Sequence, residues 1–217
     1  MSIKLNLGSH NKDIGNEYIN IDALDLPNVD LECDLNIIPF NFKVKKKNKL
    51  DTPDWDFLFE DHLSGRTEFT LKNNFADEIV MEEVLEHISF RNTVPVLKEM
   101  FRVLKVGGKL RIQVPDCEAA MRAYIEKKIC TCVPHKALVA DPYLAFKGKP
   151  NCPICKGTAV MDPERFLYSF TGAQKHKYDI HLAIFTRDIL TAKLREAGIT
   201  EYKFIDNPIK LKVEIIK

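Results

Sequence analysis

Four cysteines stand in two close pairs, Cys130-Thr131-Cys132 and Cys152-Pro153-Ile154-Cys155, separated by nineteen residues. Two thiolate pairs complete a tetrahedral zinc site, and a tight Cys-x-x-Cys turn followed by Lys156-Gly157 aims backbone N–H groups at sulfur. All-cysteine ligation closes the site, so the expected ion staples a loop and activates no water. Four unrelated thiols, or a site in which His135 replaces one ligand, are the competing readings. A second set of residues follows short apolar, β-prone runs: Gly8-Ser9-His10, Asp22, Asp34, Met81 to Glu83, and Val114-Pro115-Asp116. In an open parallel sheet, ligands lie beyond the carboxyl ends of the strands. There, a carboxylate after the second strand can accept both hydroxyls of a ribose, and a small residue after the first lets backbone N–H groups come close. The pattern points to a nucleoside-containing ligand; the plainer reading makes each Asp a helix cap or a turn former.

Those positions need strands and helices to hold them. Ile3 to Leu7 and Tyr18 to Ile21 read as strands. Only Ser9 to Glu17 lie between them, fewer than a helical parallel crossover normally takes, so a compressed loop is expected. A third apolar stretch runs from Val29 past Cys33-Asp34-Leu35 to Phe40, and no order is assigned from Asn41 to Asn74. Glu78 to Met81 is a strand. A helix follows, with Asn92 or Thr93 as N-cap, Leu97, Met100, Phe101 and Leu104 at helical spacing, and Gly107-Gly108 as its stop. Lys109 to Val114 alternates into a further strand, and Asp116 caps a helix whose apolar face carries Ala120, Met121, Tyr124 and Ile125. Near the end, Thr186 caps a helix striped with Ile189, Leu190 and Leu194 and closed by Ala197-Gly198. Glu201 to Ile205 and Ile209 to Ile216 then flank a turn-rich Asp-Asn-Pro as a hairpin. The expected fold is α/β, a Rossmann-like, mostly parallel sheet with an antiparallel C-terminal hairpin at its edge. Residues 1–217 form one domain, with the cysteine-rich insertion at 130–160 inside it.

Composition narrows the classes. The 217 residues are 45% apolar and 29% charged, ordinary for a globular protein and too apolar for a disordered one. Apolar runs reach four residues (Ala137 to Ala140, Leu182 to Phe185), against about 20 for a membrane span, so no membrane partner is expected. With no secretory signal in the opening residues, a cytoplasmic location is expected. A formal charge of +1 makes nucleic acid an unlikely partner on electrostatic grounds. The local excess at Lys43, Lys45, Lys46, Lys47 and Lys49 reads as a solvated loop. Cys33 and Cys117 read as small buried apolar residues, and Trp55, Phe57 and Phe59 as core in preference to an acceptor-stacking patch.

Four segments, Leu5-Asn6-Leu7-Gly8-Ser9, Tyr18-Ile19-Asn20-Ile21-Asp22, Glu83-Val84-Leu85-Glu86-His87-Ile88, and the stretch from Leu97 to Leu110 with its Gly107-Gly108, closely resemble the class I S-adenosylmethionine-dependent methyltransferases. Val114-Pro115-Asp116 follows where that family commonly has the same tripeptide. Thr171 to Gln174, Tyr178 to His181 and Phe185 to Gly198 look like the closing half of a small subgroup with a short first connection. The resemblance implies that Leu7, Gly8, Ser9 and His10 lie at the methionine portion of the cofactor, Asp22 at the ribose, and Asp34 with Leu35 near the adenine. Glu82 and Glu83 would face the cofactor. Where members often have a second Gly two residues after the first, this chain has His10.

Methyl transfer from a sulfonium is an in-line displacement, so the implied task of the protein is alignment. A hydroxyl or amine acceptor also needs a base within hydrogen-bond reach, and His87, Asp116, Asp179 and His181 are the candidates. The implied function is methyl transfer to a small-molecule or sugar acceptor. Two alternatives stand beside it: a catalytically silent nucleoside-binding or scaffold protein, and a nucleic-acid methyltransferase using the zinc insertion. Oligomeric state is unassigned.

Overall fold

Strand-forming runs rich in Ile, Leu and Val build a sheet whose parallel centre is covered on both faces. A computed structural model of the chain describes residues 2–10, 14–15, 17–44, 70–126, 163–207 and 209–217. The strands are β1 (Lys4–Leu7), β2 (Tyr18–Asp22), β3 (Leu31–Glu32), β4 (Lys43–Val44), β5 (Ala76–Glu82), β6 (Leu104–Pro115), β7 (Tyr202–Ile205) and β8 (Lys210–Ile216). They form one sheet in the order β4-β3-β2-β1-β5-β6-β8-β7. β1, β2, β3, β5 and β6 run parallel, whereas β4 pairs antiparallel with β3, β8 with β6, and β7 with β8. The fold is therefore the Rossmann-like sheet with an antiparallel C-terminal hairpin that the sequence pattern implies. Cys130, Cys132, Cys152, Cys155 and His135, the insertion they define, Trp55, Phe57, Phe59, and Lys45 to Lys49 lie outside the described residues.

The helices are α1 (Thr93–Val103), α2 (Cys117–Ile125), α3 (Pro163–Thr171) and α4 (Arg187–Glu196); α1 and α4 contribute to the core of the sheet, and α3 packs on α2. α1 buries Val96, Leu97, Met100 and Val103, and α4 buries Leu190 and Leu194, all at helical spacing and all in one core with the strand side chains. Asp116 caps α2 by accepting from the Ala119 N–H at 3.0 Å, and Thr186 caps α4 by accepting from that of Ile189 at 3.3 Å. Each satisfies an N–H that the helix itself leaves without a partner.

Three expectations change. The Gly107-Gly108 pair does not stop α1, which ends at Val103 and passes directly into β6. In β6 the pairing jumps from Ala76↔Leu104 to Glu78↔Lys109, so residues 105–108 bulge from the ladder. Gly107 takes φ +80 there and donates to the Lys217 carbonyl, so the glycines serve a strand irregularity. Asn92 occupies the N-cap of α1 but makes no side-chain cap; its amide donates to the Asn36 carbonyl instead. In α2 only Cys117 and Ala120 are buried, while Tyr124 stacks on Phe166 of α3 with ring centroids 4.2 Å apart. That helix thus faces a second helix more than the core.

Candidate functional site

Strand register decides which side chains meet. Leu7 pairs with both Ile21 and Met81, Asp22 with Glu32, and Glu82 with Gln113. The residues just beyond these pairs share one edge of the sheet, and Pro115↔Lys210 brings the start of β8 to it as well. Gly8, Asp22, Asp34, Glu82, Glu83 and Asp116 consequently lie along a single rim, as sequence spacing implied.

The loop after β1 is held by its neighbours on that rim. Gly8 has φ +63, and a Cβ built on it would come 2.3 Å from Cγ2 of Val84, so only glycine fits both the turn and the contact. The N–H groups of Gly8 and Ser9 both donate to the Ile21 carbonyl, at 2.8 and 3.3 Å. His10, where a second glycine is common in the resembled family, takes φ +43, a left-handed conformation that glycine favours. Its N–H donates to Asp22 Oδ2 at 2.8 Å, and its carbonyl accepts from the Asn28 amide. Asp22 Oδ1 meanwhile accepts from the Leu24 N–H at 2.9 Å. Asp22 is a binding candidate that also fixes two loops, a role its spacing does not reveal. Behind them, Asn6 donates to Asn20 at 2.9 Å and the Asn20 N–H donates to Asp30 at 2.9 Å, pinning β1 to β2 and to the approach of β3. Asp34 accepts from the Asn36 N–H at 2.9 Å, a local turn that leaves Leu35 buried beside it.

Beyond β5 the arrangement differs. Glu83 has φ +58; its Oε1 accepts from Gln113 at 2.9 Å and its Oε2 pairs with Lys210 Nζ at 2.7 Å. Glu83 is therefore tied to β6 and β8, whereas Glu82 is the last residue of β5. A single 3-10 turn, Leu85–His87, follows. Its Glu86 carbonyl accepts from the N–H groups of Leu182 and Ala183, at 2.7 and 3.0 Å, stitching residues 172–186 across the rim. That segment carries Asp179 and His181 to the site. The His87 and His181 rings meet edge to face with centroids 4.9 Å apart, and His176 stacks parallel to His10 at 6.1 Å.

The four candidate bases fall into two groups. Asp116 is committed to its helix cap, and the buried Asp179 accepts from the Lys175 N–H at 3.1 Å. His87 and His181 each place Nδ1 against a backbone carbonyl, Ile180 at 3.1 Å and Ser169 at 3.3 Å. Burial holds the His87 imidazole below its ordinary value. Burial, with His87 as a further like-charged neighbour, pushes His181 down to about 4. Both rings are therefore neutral near pH 7. Sequence reasoning missed Glu86, which is 1% exposed beside them; an acid between Leu85 and His87 reads as a surface helix residue, and no periodicity marks it. Cys33 and Cys117 are buried, with thiols pushed up to about 12 and about 11, as expected of small core residues.

The family described as "Methyltransferase domain" matches residues 41–112, from β4 through most of β6. No curated protein matches the sequence. Among solved structures, the chain is similar to a Thermotoga maritima S-adenosylmethionine-dependent methyltransferase described as a possible histamine N-methyltransferase (13% identity, TM-score 0.49, 99% of this chain and 82% of that one). It is similar also to an S-adenosylmethionine-dependent methyltransferase from Aquifex aeolicus (14% identity, TM-score 0.45, 99% and 81%). A Nostoc punctiforme protein described as a candidate O-methyltransferase matches at 9% identity and TM-score 0.48; the chain spans about half of its length, 52%. By sheet order and register, this is a Rossmann-like fold, in which ligands lie beyond the carboxyl ends of the strands. Within that class, the family resemblance is carried by residues 41–112, the part of the chain that the methyltransferase-domain family matches.

Proposed function

We propose that the chain transfers a methyl group from S-adenosylmethionine to a hydroxyl or amine of a small-molecule or sugar acceptor. The observation that carries this reading is the convergence on one rim of the Gly8 turn, Asp22 and Asp34, in a chain whose residues 41–112 match the methyltransferase-domain family.

The residues fit the cofactor. Ser9 Oγ is buried without a hydrogen-bond partner among the described residues, so a polar ligand group at the methionine portion would satisfy it. Asp22 gives one lone pair of each oxygen to backbone N–H groups and keeps the others for the two ribose hydroxyls. Leu35 offers an apolar flank and Asp34 a carboxylate for the adenine end. Glu82 ends β5 on the other side of β1, and Glu83 acts by holding the rim to β8. When bound, the sulfonium supplies an already activated methyl group. The chain's own task is to align the acceptor and to receive its proton, which neutral His87 and His181 can do at Nε2. The four cysteines are assigned, within the same proposal, to a closed structural zinc site in the 130–160 insertion.

Calorimetry with S-adenosylmethionine and S-adenosylhomocysteine tests the reading: micromolar-range binding by folded protein is expected. Asp22→Ala should weaken it by about tenfold or more, through lost charged hydrogen bonds. No heat from a folded sample, or unchanged affinity in the variant, overturns the assignment. Transfer of labelled methyl to a panel of hydroxyl and amine acceptors then separates an enzyme from a silent binder.

A further inference from the structure

We propose that Glu86, His87 and His181 form a binding site for a divalent transition-metal ion of the zinc type. One ligand atom from each of the three lies within 4.8 Å of the others. Bonds of about 2 Å to one tetrahedral ion put donors about 3.3 Å apart, so side-chain rotation draws the three in onto a common ion. They come from two segments far apart in sequence, and both are fixed: the Glu86 carbonyl is bonded to Leu182 and Ala183, and the His87 N–H donates to the Val84 carbonyl.

The histidine tautomers follow from elementary hydrogen-bond logic. A carbonyl oxygen can only accept, so the Nδ1 atoms facing Ile180 and Ser169 must carry the proton. Nε2 is then the lone-pair atom on both rings. A ring nitrogen that donates to a backbone carbonyl while the other faces the metal is the usual outer-shell arrangement of metal-binding histidine.

The donor set selects the ion. Two imidazoles and a carboxylate suit zinc, cobalt, iron or nickel, whereas magnesium and calcium prefer oxygen throughout. Three protein ligands leave at least one coordination position for water or an acceptor oxygen, unlike a closed four-cysteine site. An ion held here would occupy both Nε2 lone pairs, so in the metal-loaded chain the histidines would not act as bases; the ion would instead acidify a bound acceptor hydroxyl, whose proton would pass to solvent water. Its existence does not depend on methyl transfer, and its binding is read separately from that of S-adenosylhomocysteine.

Titration of the full chain with Co²⁺, followed optically, tests the proposal. Expected, beside any thiolate-bound ion and its sulfur charge-transfer absorption, is a separate component of one ion per chain with nitrogen- and oxygen-type d–d bands alone. His181→Gln and His87→Gln should each weaken that component at least about tenfold while far-UV circular dichroism is unchanged. Zn²⁺ titration of wild-type protein, read by imidazole ¹⁵N resonances, covers the case in which either variant fails to fold: Nε2 of His87 and His181 should shift together. Absence of the nitrogen- and oxygen-type spectrum, Co²⁺ binding unchanged in both folded variants, or unmoved Nε2 resonances overturns the proposal.

Discussion

On the β1–β2 side of the rim, side chains hold backbone; beyond β5, backbone holds side chains. Asp22 and Asp34 accept from the N–H groups of His10, Leu24 and Asn36, partners between 2 and 12 residues away in sequence. His87 instead reaches the carbonyl of Ile180, 93 residues away, and the Glu86 carbonyl depends on Leu182 and Ala183. The first region is shaped as soon as its strands pair. The second exists only once residues 172–186 have docked, and its polar side chains point at one another. A preformed local cradle suits the cofactor site proposed above, whereas a long-range, side-chain-rich cluster exists only in the completed fold.

The largest expected effect strikes the local cradle. Gly8→Ala forces a side chain at φ +63 into Val84, and should cost about 3 kcal/mol from left-handed strain and overpacking together. Urea unfolding measures it, and a loss under about 1 kcal/mol would show that the loop is not preformed. Next comes pH, which acts on the long-range cluster. His181 titrates at about 4 in the folded chain and near its ordinary 6.5 when unfolded, so the unfolded state binds the extra proton between those values. Stability should be complete above pH 6.5 and fall as the pH drops toward 4, by up to about 2 kcal/mol once partial exposure is allowed for. His181→Gln should flatten that slope in unfolding curves taken across the window; an unaltered slope would place the cost elsewhere. The smallest effect serves as a control lying in neither region's ligand set. Asp116→Ala removes the α2 cap and should cost about 1 kcal/mol, with S-adenosylhomocysteine affinity unchanged. A large affinity loss would move Asp116 into the cradle.

The same contrast governs what was legible beforehand. Strands β1, β2, β5 and β6, the terminal hairpin, and the caps at Asp116 and Thr186 follow from local patterns: apolar alternation, turn residues, and hydroxyl or carboxylate groups before helices. Gly8, Asp22 and Asp34 share a rim because parallel register sends every strand end to one edge. The two-residue β4, the helix α3 and the bulge at Gly107-Gly108 were not legible, because pairing partners and helix neighbours distant in sequence create them. The His87–His181 contact was legible only as two separate candidates, and Glu86 not at all, since nothing local distinguishes a carboxylate destined for the interior.

The ion pair between Glu83 and Lys210 joins a carboxylate in the turn after β5 to an ammonium at the start of β8, far later in the sequence. During synthesis, the turn after β5 therefore emerges well before the cation that balances it. A nascent chain halted before β8 should keep that turn unsettled and bind adenosyl compounds poorly, even with every cradle residue already outside the ribosome. Competence would wait for the β7–β8 hairpin, which acts as the latch.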